Sequence, residues 1–279
     1  MSNPRIGALH DGIDDGIYHA DPALSSSGAK DLIQCPAIYR ERRDHPRIKD
    51  AFDFGHVAHR LLLGKGAEIA VYPADSLGAN GATSTNAAKD FAKTARAYGK
   101  TPIKPDDYAK AELMVQRVRD HAEIGPIFAT GAAEYSAWAT DPETGMTLRC
   151  RPDWLTETAD GRPVIADLKT TAGDTHEWAL SKVIHDRGYH QSAAFYLDVL
   201  AACGVTDATF VLVFVSKEPP HQVRAVTLPE HALERGRTLN RRAIDLFAAC
   251  TDTGDWSCTH PAYAEIDLPR YAYIDKDTA

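Results

Sequence analysis

Asp153, Asp167 and Lys169 are charged side chains in stretches that otherwise read as half-buried sheet. All three fall within RPDWLTETADGRPVIADLKTT, residues 151–171. Charge is kept off such surfaces unless something holds it there. Ala159, Asp160 and Gly161 read as a three-residue hairpin loop, with glycine free to take the left-handed position. That loop pairs Thr158 with Arg162, and the same register sets Asp153 opposite Asp167. Directly opposed residues have Cβ atoms about 4.5–5.5 Å apart. Asp167 and Lys169 are two positions apart and share a face. A two-residue loop would slip the register by one and separate the acids.

Two carboxylates at that spacing repel, and one must hold a proton unless a cation lies between them. A hard divalent ion with oxygen ligands suits the gap, Mg²⁺ first and Mn²⁺ second. Such an ion polarises a phosphoryl oxygen and lowers the pKa of bound water. The lysine can orient or deprotonate that water and balance charge in the transition state. Metal-assisted phosphodiester hydrolysis requires this set. The plainer reading is a surface salt bridge between Lys169 and one aspartate. The apolar neighbours in VIADL and the proline before Asp153 favour the site.

The elements that position these groups follow from periodicity and punctuation. A helix over 25–43 starts behind a serine cap and ends in Arg40, Arg42 and Arg43, followed by Arg47 and Lys49. That basic run is either a solvated helix end or a phosphate-facing patch. A second helix spans 51–63, with Phe54, Val57, Ala58, Leu61 and Leu62 at helical spacing. A loop at 76–87 and polar-faced helices at 86–99 and 105–123 form a helical insertion at about 75–130. Strands are expected at 133–140, 146–157, 163–170, 208–216 and 221–228, and helices at 175–185, 189–202 and 229–249. This order predicts one α/β domain over 1–279 with a mixed sheet flanked by helices.

Composition narrows the setting. Of 279 residues, 44% are hydrophobic and 25% charged, as in soluble globular proteins. The five cysteines, Cys35, Cys150, Cys203, Cys250 and Cys258, form no CxxC pair. They suit free thiols in a reducing cytoplasm. MSNPRIGALHDGIDDG lacks a secretory pattern, and no apolar run is long enough for a membrane, so a cytoplasmic location is expected. A net charge of −8 argues against nonspecific coating of nucleic acid. It leaves room for a local grip through metal ions and a basic patch.

Pro152-Asp153 followed by Asp167-Leu168-Lys169 resembles the signature of the PD-(D/E)xK nuclease superfamily. YHADPALSSSGAKDLIQCPAIYRE (18–41), FGHVAHRLLL (54–63), TGMTLRCRPDW (144–154), IADLKTT (165–171), GYHQSAAFYLD (188–198) and IDLPRYAY (266–273) together resemble its exodeoxyribonuclease VIII (RecE-type) branch. The resemblance covers most of 18–275 and is weakest over 75–130. It implies a restriction-endonuclease-like core. It also implies a metal held by Asp153, Asp167, His59 and Leu168, and Lys169 as catalytic amine. His59 closes a G-x-x-x-H motif with Gly55, and His56 lies one turn earlier. Glu134 would stand near the metal, though a strand-end glutamate is often merely exposed.

Gln191 and Tyr196 fall in the helix that lines the cleft of this superfamily. The superfamily spacing Q-x-x-x-Y places Phe195 where tyrosine is expected, one position before Tyr196. Ser25 and Ser27 match a paired-serine motif that either caps a helix or binds a terminal phosphate; Arg43 would join them on DNA. The implied activity is Mg²⁺-dependent digestion of linear duplex DNA from its ends, 5′ to 3′. A ring-shaped homo-oligomer and a single-strand annealing partner, in phage or prophage recombination, are implied with it. Two rival readings stand beside it. One is a related iron–sulfur nuclease, since QCPAIYRER resembles a first cysteine segment, but such clusters need four thiolates. The other is a catalytically idle DNA-binding module of the same fold.

Overall fold

The computed structural model describes residues 5–45, 50–258, 263–269 and 273, with backbone alone at 50–53. A short strand β1 (Leu9–His10) leads to α1 (Asp15–Ala20) and β2 (Leu24–Ser25). The helix expected over 25–43 is two, α2 (Ser26–Gln34) and α3 (Pro36–Asp44). Pro36 lacks an N–H and excludes helical backbone from its predecessor, so Cys35 is extended at φ −174°. Next come α4 (Asp50–Leu63) and β3 (Glu68–Val71).

Segment 75–130 holds α5 (Asn86–Ala97), β4 (Lys100–Ile103) and α6 (Pro105–Asp120). Its helices lie where the polar-faced pattern puts them. The parallel β3–β4 pair beside them is an addition the pattern did not signal.

The strands expected over 133–140 and 146–157 are each broken. The first becomes β5 (Ala132–Ala133) and β6 (Ser136–Thr140). The second becomes β7 (Thr147–Cys150) and β8 (Trp154–Glu157). Both breaks come at one level, where Glu134 N–H donates to the Asp153 carbonyl at 3.2 Å. Glu134 has φ 57°, and Pro152 cannot donate to a ladder, so neither strand can run straight through. The chain then forms β9 (Pro163–Thr171), α7 (Glu177–Asp186), α8 (Tyr189–Ala201), β10 (Thr209–Ser216), β11 (Val223–Thr227) and α9 (Glu230–Thr253).

The central sheet is five-stranded and mixed, ordered β11-β10-β9-β8-β5, with β9 and β10 parallel and the other pairs antiparallel. A four-stranded sheet, β1-β6-β7-β2, continues from the breaks. Alternation along β10 builds two cores. Val211, Val213 and Val215 pack with Leu62 of α4 and Met114 of α6. Phe210, Leu212 and Phe214 pack with Phe195 of α8 and Phe247 of α9. Truncating a fully buried ring such as Phe214 costs about 3–5 kcal/mol. The sheet is therefore covered on both faces, a mixed α/β layering. Among the described residues no helix is long and apolar enough to cross a membrane.

Candidate active site

The hairpin has the register its loop dictates. β8 and β9 pair Glu157 with Pro163 through to Trp154 with Ala166. Thr158 N–H donates to the Arg162 carbonyl at 2.9 Å. Asp153 stands one residue beyond the ladder. As the chain turns away at Pro152, the N–H of Leu168 loses its strand partner, and the Asp153 carboxylate accepts from it at 2.8 Å. A side chain has replaced a backbone acceptor, and this fixes the carboxylate against β9.

His59 reaches the same point from α4. Its Nε2 lies 3.0 Å from the Leu168 carbonyl oxygen and its Nδ1 lies 3.5 Å from Asp153 Oδ2. A nitrogen that close to a carbonyl carries the proton. Nδ1 faces the Asp153 carboxylate, where a proton or a cation can lie between them. The side chain of Leu168 points into the α4–α6 core and is buried, so only its carbonyl is available to an ion.

Asp167 and Lys169 occupy the other face of β9, toward α8. They form an ion pair. Asp167 is buried, and its Oδ2 meets Lys169 without accepting a well-formed hydrogen bond from any group. Burial pushes its carboxyl up, Lys169 pulls it back, Asp153 pushes it up again, and the net direction is upward. Burial opposes the charge on Lys169, but Asp167 and then Asp153 outweigh burial and raise its pKa. The ammonium also lies 5.3 Å from the Tyr189 ring centroid.

Two carboxylates and one carbonyl are hard oxygen donors of the kind Mg²⁺ or Mn²⁺ accepts, and the imidazole is a borderline donor beside them. Asp167 Oδ2 is held by the Lys169 ammonium, and an added cation would have to share it. Among the described residues no group of three or more His, Cys, Asp or Glu side chains is placed to hold a metal ion as it stands. The fit therefore rests on donor type alone. Cys35 and Cys258 meet thiol to thiol, and no third such ligand joins them among the described residues.

Glu134 reaches the cleft through its strained backbone. Burial raises its carboxyl pKa, and Asp15 and Asp153 add to the rise against Arg151 and His59. Arg151 donates to Ser136 Oγ at 2.8 Å and the Ile13 carbonyl at 2.9 Å, and pairs with Asp15. Arg149 stands beside Ser25 in the β2–β7 pair. Its guanidinium donates weakly to the His19 carbonyl at 3.4 Å, while Nε and Nη1 are buried without partners. The two guanidinium carbons lie 4.6 and 4.0 Å from the Tyr18 ring centroid.

These groups surround a cavity of about 460 Å³. Ser25, Ser27, His59, Glu134, Asp167, Lys169 and Tyr196 line it, as does His56. Asp153 sits behind its wall. Ser25 caps α2 by accepting from Gly28 N–H at 3.2 Å, and its hydroxyl meets that of Ser27 at 3.1 Å. Ser26 Oγ beside them is buried without a partner.

Two expected site residues are elsewhere. Gln191 does not line this cavity. On α8 it lies opposite Tyr189, Ser192 and Tyr196, and it shares its buried face with Phe195. The Q-x-x-x-Y spacing therefore marks an inward stripe, and Tyr196, one position later, is the residue at the cleft. Arg43 donates to the carbonyls of Asp21 and Ala20, tying α3 to the end of α1 instead of facing the cavity. Its neighbours Arg40 and Arg42 pair with Asp44 and Asp31. Arg47, Lys49 and residues 270–272 of IDLPRYAY lie outside the described residues.

Lys30, Arg149, Arg151 and Tyr189 were missed as site residues. A signal existed for two of them: Arg149, Arg151 and Asp153 alternate with period two.

A crystal structure of a candidate exonuclease from Eubacterium rectale superposes with a TM-score of 0.62 at 13% identity, over 92% of this chain and 97% of that one. That likeness establishes the restriction-endonuclease-like fold. SSO0001 aligns over 86% of this chain and 79% of its own at 12% identity, but its TM-score of 0.36 carries no argument. No curated protein matches the sequence. The profile of the PDDEXK-like domain of unknown function (DUF3799) matches residues 25–265, and the chain belongs to that family.

Proposed function

We propose that the protein is a divalent-metal-dependent exonuclease that degrades linear duplex DNA from its ends, 5′ to 3′. The observation that carries this reading is the meeting of Asp153, Asp167, Lys169 and His59 at the bend between two sheets. The family fold and the candidate exonuclease from Eubacterium rectale support it. The RecE-type motifs point to phage or prophage recombination, with a single-strand annealing protein as partner. A ring of subunits in the cytoplasm completes the proposal.

Asp153, Asp167, His59 and the Leu168 carbonyl would hold the metal, which when bound supplies Lewis acidity and an activated water. The chain's own groups do the rest. Lys169 keeps its proton, because the two acids raise its pKa. It therefore orients the nucleophile and offsets phosphoryl charge as an ammonium rather than removing a proton. Arg149, with two unpaired buried nitrogens, and the unpaired Ser26 hydroxyl offer donors to a phosphate at the start of α2. Ser25, Ser27 and Lys30 border the same place. Tyr196 and Tyr189 wall the cleft where a terminal nucleotide would rest.

The test uses linear duplex labelled separately at each end, with Mg²⁺ or EDTA, and an Asp167→Ala control. Expected are early loss of the 5′ label, survival of closed circular DNA, and no loss with EDTA or with the variant. Mg²⁺ should also raise the Tm of the wild type and not of the variant, its binding adding about 1.4 kcal/mol of stability per tenfold excess over Kd. Wild-type protein that retains linear DNA but never shortens it would leave only the idle binding module.

A further inference from the structure

We infer that the N-terminus of α8 is a second phosphate site, which holds a backbone phosphate of the DNA strand beside the catalytic cleft. The inference rests on the nuclease reading above. A separate cavity of about 330 Å³ lies there, lined by Lys30, Arg187, Gly188, Gln191 and Arg235 among others. Lys30 also lines the catalytic cavity, so the two are neighbours across one side chain.

Asp31 and Asp186 also line the recess, but several features leave it with donors that lack a partner. Gly188 is the N-cap of α8 and has no side chain to satisfy the first-turn N–H groups. A left-handed φ of 61° favours glycine there, and a Cβ would stand 2.9 Å from the Cδ of the Lys30 side chain. Gln191 in the first turn is 3% exposed, and its Nε2 is buried without a hydrogen-bond partner. Such an orphan donor costs about 1–3 kcal/mol unless an acceptor arrives.

The acids nearby are already committed. Asp31 pairs with Arg42, and Asp186 pairs with Lys182. Among the described residues Lys30 hydrogen-bonds neutral partners, Ser192 Oγ at 3.0 Å and the Arg187 carbonyl at 3.4 Å. Arg187 and Arg235 are exposed and form no ion pair among the described residues. An uncapped helix N-terminus, two unpaired guanidiniums and a buried amide donor recognise one chemistry, a phosphate oxyanion.

The full chain is titrated with linear duplex DNA in EDTA over a salt series. Arg187→Gln, Arg235→Gln and the charge-keeping Arg235→Lys run beside wild type. Each Gln variant should lower the slope of log K against log salt by about one, and Arg235→Lys should keep it. Hydrolysis of thymidine 5′-(p-nitrophenyl phosphate) with Mg²⁺, a substrate too short to reach the recess, should stay within about twofold of wild type. Unchanged slopes in a wild type that binds and cuts DNA would overturn this inference alone. A wild type that neither binds nor cuts would overturn the nuclease reading as well. Should inorganic phosphate raise the Tm of wild type and not of the Gln variants, with slopes unchanged, the recess holds free phosphate and the strand contact is wrong.

Discussion

At Glu134 the backbone stands at φ 57°, a conformation that costs a non-glycine residue about 1–2 kcal/mol. Burial, Asp15 and Asp153 also raise its carboxyl pKa, so its charge is disfavoured too. Two costs meet in one side chain at the lip of the cleft, and function is a sufficient reason to keep them. Glu134→Gly removes both. The variant should melt at or above the wild-type Tm while metal-dependent cleavage falls by tenfold or more. A lower Tm with intact cleavage would mean that Glu134 serves only the fold. The closeness of Asp153, Asp167 and Lys169 was legible in the sequence because a hairpin loop fixes register, whereas His59 was placed beside them only by the family resemblance. Arg149 and Arg151 carried a period-two signal with Asp153, but their packing partner, Tyr18 in α1, did not show in the sequence. That helix has six residues, too few for its period to show.

The elements explain which expectations moved. Helix and strand positions follow the apolar pattern closely, since the two sheet faces demand strict alternation. The breaks at Cys35, at Glu134 and at Pro152 were hidden, because a pattern of burial continues across a bend while the backbone changes direction. The face of α8 was misjudged for another reason: spacing names a stripe but not which stripe meets the cleft. That helix owes its position to Gly236 of α9. A Cβ at Gly236 would stand 2.4 Å from the His190 carbonyl oxygen and 2.9 Å from Ala194 Cβ. Backbone cannot yield as a flexible side chain can. Gly236→Ala should force α8 and α9 apart and cost about 1–3 kcal/mol or more. A lowered urea midpoint at unchanged m, with weaker DNA binding from displaced Tyr189 and Tyr196, is expected. A wild-type midpoint would show that the helices have slack.

Over the whole molecule, a net charge of −8 sits against a cleft lined by Lys30, Lys65, Arg149, Arg151 and Lys169. Asp15, Glu134 and Asp167 share that cleft, and most other acids lie outside it, many tied in ion pairs that join distant parts of the chain. The Asp141–Arg241 pair is the most buried of these on its acidic side. Asp141 lies at the end of β6 and accepts from Thr144 N–H at 2.9 Å and from Arg241 of α9 at 2.8 and 3.1 Å. It thereby bolts the β6–β7 hairpin, which carries Arg149, to the last helix. Burial alone would raise the Asp141 pKa, but Arg241 and Thr144 outweigh burial and lower it. A lowered carboxyl pKa means that the unfolded chain binds more protons near pH 4. The stabilisation is therefore present above the ordinary aspartate range and is lost as pH falls through the folded value. Asp141→Asn should cost about 1.5–3 kcal/mol at pH 7. The lower end is expected, because Arg241 keeps Asp245 at 2.8 Å as a partner. Melting wild type and variant from pH 7 down to about pH 3 should show the two curves converging below the ordinary aspartate pKa of about 3.9. A gap that stays constant across that range would mean that the substitution disturbs only packing, and that the hairpin does not depend on the charge of Asp141.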